Sequence, residues 1–143
     1  MTSTSNCSSF RCGAVTPGAV DACPACGART VSSARVRRLG WLLLVIGAGL
    51  AAGVGYLLAQ MTPMLRAPGV TQPDGTTFTG TAEQAAFTTN LLLGVIAFGA
   101  VAVLNGLWQI ATGRRNLLLF AVTLLVAAAL FLTVRGASGV FGG

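Results

Sequence analysis

The stretch LGWLLLVIGAGLAAGVGYLLA, Leu39 to Ala59, decides how the rest of the chain is read. It runs for about 21 residues with no charged side chain, and about 20 apolar residues in a helix cross the hydrocarbon core of a bilayer. Gln60, Thr62 and Pro63 end it. Two further runs of the same kind follow, Leu91 to Ala111 and Leu117 to Val134. A helix satisfies its own backbone hydrogen bonds in lipid, so each run is expected to be a transmembrane helix. The composition agrees: 54% of the 143 residues are hydrophobic and 8% are charged, where a soluble domain carries about a quarter charged residues.

Outward from these runs, the connections set the organisation. Only Gly113, Arg114, Arg115 and Asn116 separate the second and third runs, which forces an antiparallel helical hairpin, with Gly113 suited to a helix C-terminal cap. The longer connection after the first run carries Pro63, Pro68, Pro73 and Gly75, and ends in Thr81-Ala82-Glu83-Gln84, a capping box that allows the second helix to begin near Ala82. The expected division is a head over 1–30, a basic linker over 31–38 and a first span over 39–60. A loop over 61–88, a second span over 89–112, a tight turn over 113–116, a third span over 117–134 and a tail over 135–143 complete it. The chain opens without the basic and apolar regions of a signal peptide. The expected fold class is an all-α membrane protein of three transmembrane helices with a small four-cysteine head.

The net charge of +6 comes from nine basic residues, all arginine, against three acids. Arg29, Arg35, Arg37 and Arg38 precede the first span, and Arg114 and Arg115 lie between the second and third. The opposite side receives Arg66 and Arg135. Under the positive-inside rule this places the head and the 113–116 turn in the cytoplasm, and the loop and the tail outside. Arg35, Arg37, Arg38, Arg114 and Arg115 are thus expected to set topology or meet lipid head groups. Nucleic acid is not an expected partner, because the head has few basic and aromatic positions.

The head holds every cysteine of the chain: Cys7-x4-Cys12, then Cys23-Pro24-Ala25-Cys26, with Gly13 and Gly27 after the pairs. Two such pairs supply four soft ligands for a tetrahedral metal, and a following glycine tolerates positive φ and bares backbone N–H groups toward thiolate sulfur. The predicted topology puts these thiols in a reducing compartment, where such a cluster is a metal site rather than a disulfide pair. The residue pattern leaves zinc, a rubredoxin-like iron site and metal-free thiols open. Arg11 and Arg29 are placed to offset the charge of a thiolate cluster.

Here the chain resembles the zinc-ribbon superfamily, including short ribbons at the cytoplasmic N-termini of bacterial membrane proteins, over residues 7–30. The resemblance implies structural Zn2+ on Cys7, Cys12, Cys23 and Cys26, and a bacterial inner membrane. Its departure is the first pair, spaced by four residues rather than two.

In the spans, Gly49 and Gly53 form a G-x-x-x-G, and Ala102 and Gly106 repeat the small-residue spacing. Both serve close helix packing, within the chain or in a homo-oligomer. Asn105 and Gln109 share one helix face and are expected to hydrogen-bond between helices. Catalysis is not expected. There is no histidine, the acids Asp21, Asp74 and Glu83 form no pair, and four cysteines would leave a metal no open position. The function expected is that of a non-catalytic membrane protein whose ribbon binds a protein partner or serves as an accessory subunit. The alternatives are a thiol-redox or metal sensor and an accessory subunit of a transporter.

Overall fold

The computed structural model describes residues 4–9 and 12–136. Strands β1 (Thr4–Cys7), β2 (Val15–Pro17) and β3 (Thr30–Ser32) precede helices α1 (Ser33–Arg66), α2 (Ala82–Thr112) and α3 (Leu117–Gly136). All three helices are long and apolar enough to cross a membrane. α3 buries no residue, as expected of a helix whose solvent is lipid.

The chain forms two compact units. One joins residues up to Ile46 with Ala102–Ala121. Its sheet has the order β2-β1-β3, antiparallel throughout, with Asn6 opposite both Val15 and Val31 and Cys7 opposite Thr30. Strands this short are stable only against a support. Here Asn6 Nδ2 donates to Gly113 O at 2.8 Å, Thr4 Oγ1 donates to Ser33 Oγ at 3.0 Å, and Val36 is buried. In the same unit α1 and α2 meet backbone to backbone. A Cβ on Gly40 would stand 2.8 Å from Gly106 O, and one on Gly106 only 2.6 Å from Gly40 O.

The second unit joins Gly47–Val101 with Val122–Gly143. Gly99 packs on α1 in the same way, its missing Cβ 2.8 Å from Gly47 O. The capping box forms as the residues predict: Thr81 N donates to Gln84 Oε1 at 3.1 Å and Gln84 N to Thr81 Oγ1 at 3.2 Å. α2 therefore begins at Ala82, and the loop is shorter than 61–88.

Other boundaries differ as well from the reading of the residues, α3 running on to Gly136 where the residues predict a tail over 135–143. The segment 31–38 is not a linker: β3 runs directly into α1, and Arg35, Arg37 and Arg38 are helical. Ser32 is the local cause, because its Oγ accepts from Arg35 N at 3.4 Å as an N-cap does. At the other end α1 continues through Pro63 to Arg66. The proline removes one backbone donor, and beside it Thr62 Oγ1 donates to Leu58 O at 2.6 Å.

Candidate metal centre

Each cysteine is presented by backbone that its neighbours dictate. Cys7 ends β1, and its N–H is bonded to Ala14 O at 3.0 Å, closing the first knuckle. In the second knuckle Gly27 N donates to Cys23 O and Cys23 N to Ala28 O, both at 2.8 Å. Gly13 and Gly27 have φ of 56° and 69°, the left-handed region that favours glycine. This is the conformation expected for a glycine that follows a cysteine pair.

The result is a single cluster. The Sγ atoms of Cys7, Cys12, Cys23 and Cys26 all lie within 4.8 Å of one another. Two of the pairs run between the knuckles, Cys7 to Cys26 at 3.3 Å and Cys12 to Cys23 at 3.8 Å. A tetrahedron of sulfurs about 2.3 Å from a zinc ion sets them about 3.8 Å apart, so the observed spacing brackets what a four-thiolate site requires. No cysteine is disulfide-bonded.

Backbone donors aim at the sulfurs. The Ser9 N–H lowers Cys7, the Ala14 N–H lowers Cys12 and the Ala25 N–H lowers Cys23, in each case from two residues after the cysteine. Such donors orient a ligand and offset its negative charge. They act unequally on the metal-free thiols. For Cys23 the Ala25 N–H, helped by Cys7 and the Cys26 N–H, outweighs desolvation and brings the thiol down to about 7. For Cys7 the Ser9 N–H lowers it, but desolvation and the sulfurs of Cys26, Cys23 and Cys12 together push it up to about 12. Cys12 is lowered by Ala14 N–H, yet it too is raised overall, by Cys26, desolvation and Cys23. Four sulfurs this close cannot all be thiolates without a cation, because like charges disfavour one another's ionised form. Cys23 is buried and Cys26 is exposed, so one ligand anchors the cluster and another faces solvent.

The remaining residues singled out from the sequence divide. Asn105 and Gln109 are both 5% exposed and are joined by Gln109 Nε2 donating to Asn105 Oδ1 at 3.1 Å. The bond therefore runs along one helix, not between two, and Gln109 Oε1 has no donor among the described residues. Ala102 is buried and Gly106 lies at the closest helix approach. Around Gly49 and Gly53 a Cβ would meet nothing within 4 Å, so this pair makes no packing contact among the described residues. Arg35, Arg37 and Arg38 are exposed on the first turns of α1. Arg29 is exposed, and Arg11 lies outside the described residues.

Arg114 and Arg115 are exposed in the turn after Gly113, whose φ of 66° and N–H bond to Gln109 O form the expected C-cap. Together with Asn6, Cys7, Val36 and Leu117 they line a cavity of about 240 Å3. Two residues escaped the reading of the sequence. Gly40 offered only its place as a glycine at the start of an apolar run, and Asn6 offered no signal. No protein family, curated protein or solved structure matches the chain.

Proposed function

We propose that the chain is a non-catalytic integral membrane protein whose head is a zinc ribbon, held by Cys7, Cys12, Cys23 and Cys26 and serving protein interaction or an accessory role in a membrane complex. The observation that carries this reading is the convergence of the four Sγ atoms within 4.8 Å. Four thiolates complete a tetrahedral shell, so the metal serves structure and offers no open position for substrate or water. A head with so little apolar mass depends on that metal for its own fold. The ion is zinc rather than iron in this reading, and it fixes the strand that carries Asn6.

The three apolar helices support membrane insertion by length and composition. The arginines supply the orientation: with Arg35, Arg37, Arg38, Arg114 and Arg115 on one side, the head is cytoplasmic and residues beyond Arg135 are extracytoplasmic, in a bacterial inner membrane. The exposed knuckle around Cys26 is the surface left for a partner. A thiol-redox or metal sensor is the second reading. It draws on the 3.3 Å approach of Cys7 and Cys26, with Cys26 open to solvent.

Purification in a mild detergent, with identification of co-purifying membrane proteins and of the bound metal, tests both readings. A stoichiometric partner that is lost with the Cys23→Ser variant supports the interaction module. Metal that leaves under mild peroxide and returns under reductant supports the sensor.

A further inference from the structure

The turn between α2 and α3 carries a second cavity, of about 560 Å3, lined by Trp108, Thr112, Arg114, Arg115, Asn116 and Leu117. Its polar groups are unequal. Thr112 Oγ1 is committed to Trp108 O at 2.7 Å, and Asn116 Oδ1 accepts from Leu118 N at 2.9 Å and Leu119 N at 3.4 Å. What remains free among the described residues is a set of donors: both guanidinium groups, Asn116 Nδ2 and the Trp108 indole N–H. No acidic residue lines this cavity or the 240 Å3 cavity that shares the two arginines. Of the four cysteines only Cys7 lines either cavity, and it belongs to the smaller one, so negative charge in the larger cavity avoids direct contact with the cysteine sulfurs.

A cavity offering cationic forks and neutral donors with no carboxylate selects an oxyanion. Its apolar walls say which kind. Trp108 is 44% exposed and Leu117 is 53% exposed, and both belong to the ends of helices long enough to cross a membrane. A tryptophan beside arginines at such an end is the pattern of a membrane–water interface. We propose that this cavity binds the phosphate of an anionic phospholipid through Arg114 and Arg115, with the acyl chains descending along Trp108 and Leu117. The inference rests on membrane insertion and is independent of the metal in the head.

The test uses the full chain in mild detergent, titrated with phosphatidylglycerol or phosphatidylcholine and followed by native mass spectrometry. One phosphatidylglycerol should bind about tenfold or more tightly than phosphatidylcholine, and Arg114→Gln with Arg115→Gln should remove that preference. Arg35→Gln with Arg38→Gln deletes the same charge elsewhere on the chain and should leave it within about twofold. Arg114→Lys with Arg115→Lys keeps charge and topology but loses the bidentate fork, so it should weaken binding even if the glutamine pair fails to fold. Equal affinity for the two lipids, equal loss in both glutamine pairs, or unchanged affinity in the lysine and glutamine pairs at 114 and 115 would overturn the proposal. Full displacement of the lipid by inorganic phosphate would mean a free-oxyanion site instead. Recovery of the chain in the membrane fraction checks insertion separately.

Discussion

The glycines of α1 and α2 should respond to the same substitution with opposite signs. A Cβ on Gly106 would stand 2.6 Å from Gly40 O and 2.8 Å from Leu44 N, and both are backbone atoms that no rotamer change can move. Relieving those contacts to ordinary van der Waals distance requires the helices to part by roughly 1 Å, and overpacking of this kind costs about 1–3 kcal/mol. Alanine recovers about 0.5–1 kcal/mol over glycine in a helix, so with both effects at the middle of their ranges Gly106→Ala should be destabilising by about 1 kcal/mol net. Gly40→Ala should behave alike, and the double variant should cost less than the sum, because the first methyl already separates the pair. Gly49→Ala and Gly53→Ala meet nothing within 4 Å and keep only the propensity gain, so they should be neutral or slightly stabilising. Unfolding in a graded detergent mixture, followed by far-ultraviolet circular dichroism, measures all five variants. A neutral Gly106→Ala would refute the close approach. A Gly49→Ala as damaging as Gly106→Ala would show that the open face is packed in a homo-oligomer.

Three other outcomes are expected. Asn6→Ala removes the bond to Gly113 O and should loosen the head by about 0.5–1.5 kcal/mol, seen as faster limited proteolysis of the head with the helices intact; unchanged proteolysis would contradict docking. Zinc affinity should fall on acidification. Cys7 and Cys12 are raised and Cys23 sits at about 7, so below that value at least three protons must leave. The fall should be roughly a thousandfold per pH unit by competition with a chromophoric chelator, and a flat profile would contradict thiolate ligation. A reporter fused after Gly143 should be active only in its extracytoplasmic form, and cytoplasmic activity would reverse the orientation argued from the arginines.

What the residues disclosed depended on how local the cause was. The three apolar runs, the Thr81–Gln84 box and the Gly113 cap are each fixed within a few positions, and all appear in the structure. The cysteine cluster was legible because ligand spacing is itself the constraint. The start of α1 was misplaced because charge at Arg35, Arg37 and Arg38 marks the edge of an apolar run, whereas the helix begins at the Ser32 cap. Spacing alone drew attention to Gly49 and Gly53, but it does not give the rotation of a helix. The face that meets α2 carries Gly40 and Gly47 instead. Asn105 and Gln109 were placed on one face correctly, and their bond to each other removed the need for a partner helix. The Asn6 contact joins positions 107 apart, and no local pattern announces it.

The most direct measurement is the metal content of the full chain, purified without chelators, beside its Cys23→Ser variant. The native protein should carry about one zinc per chain and the variant almost none, because Cys23 is the buried member of the four-cysteine cluster that would form the thiolate shell. Iron in place of zinc, almost no metal in the native chain, or full zinc retention in the variant would contradict it.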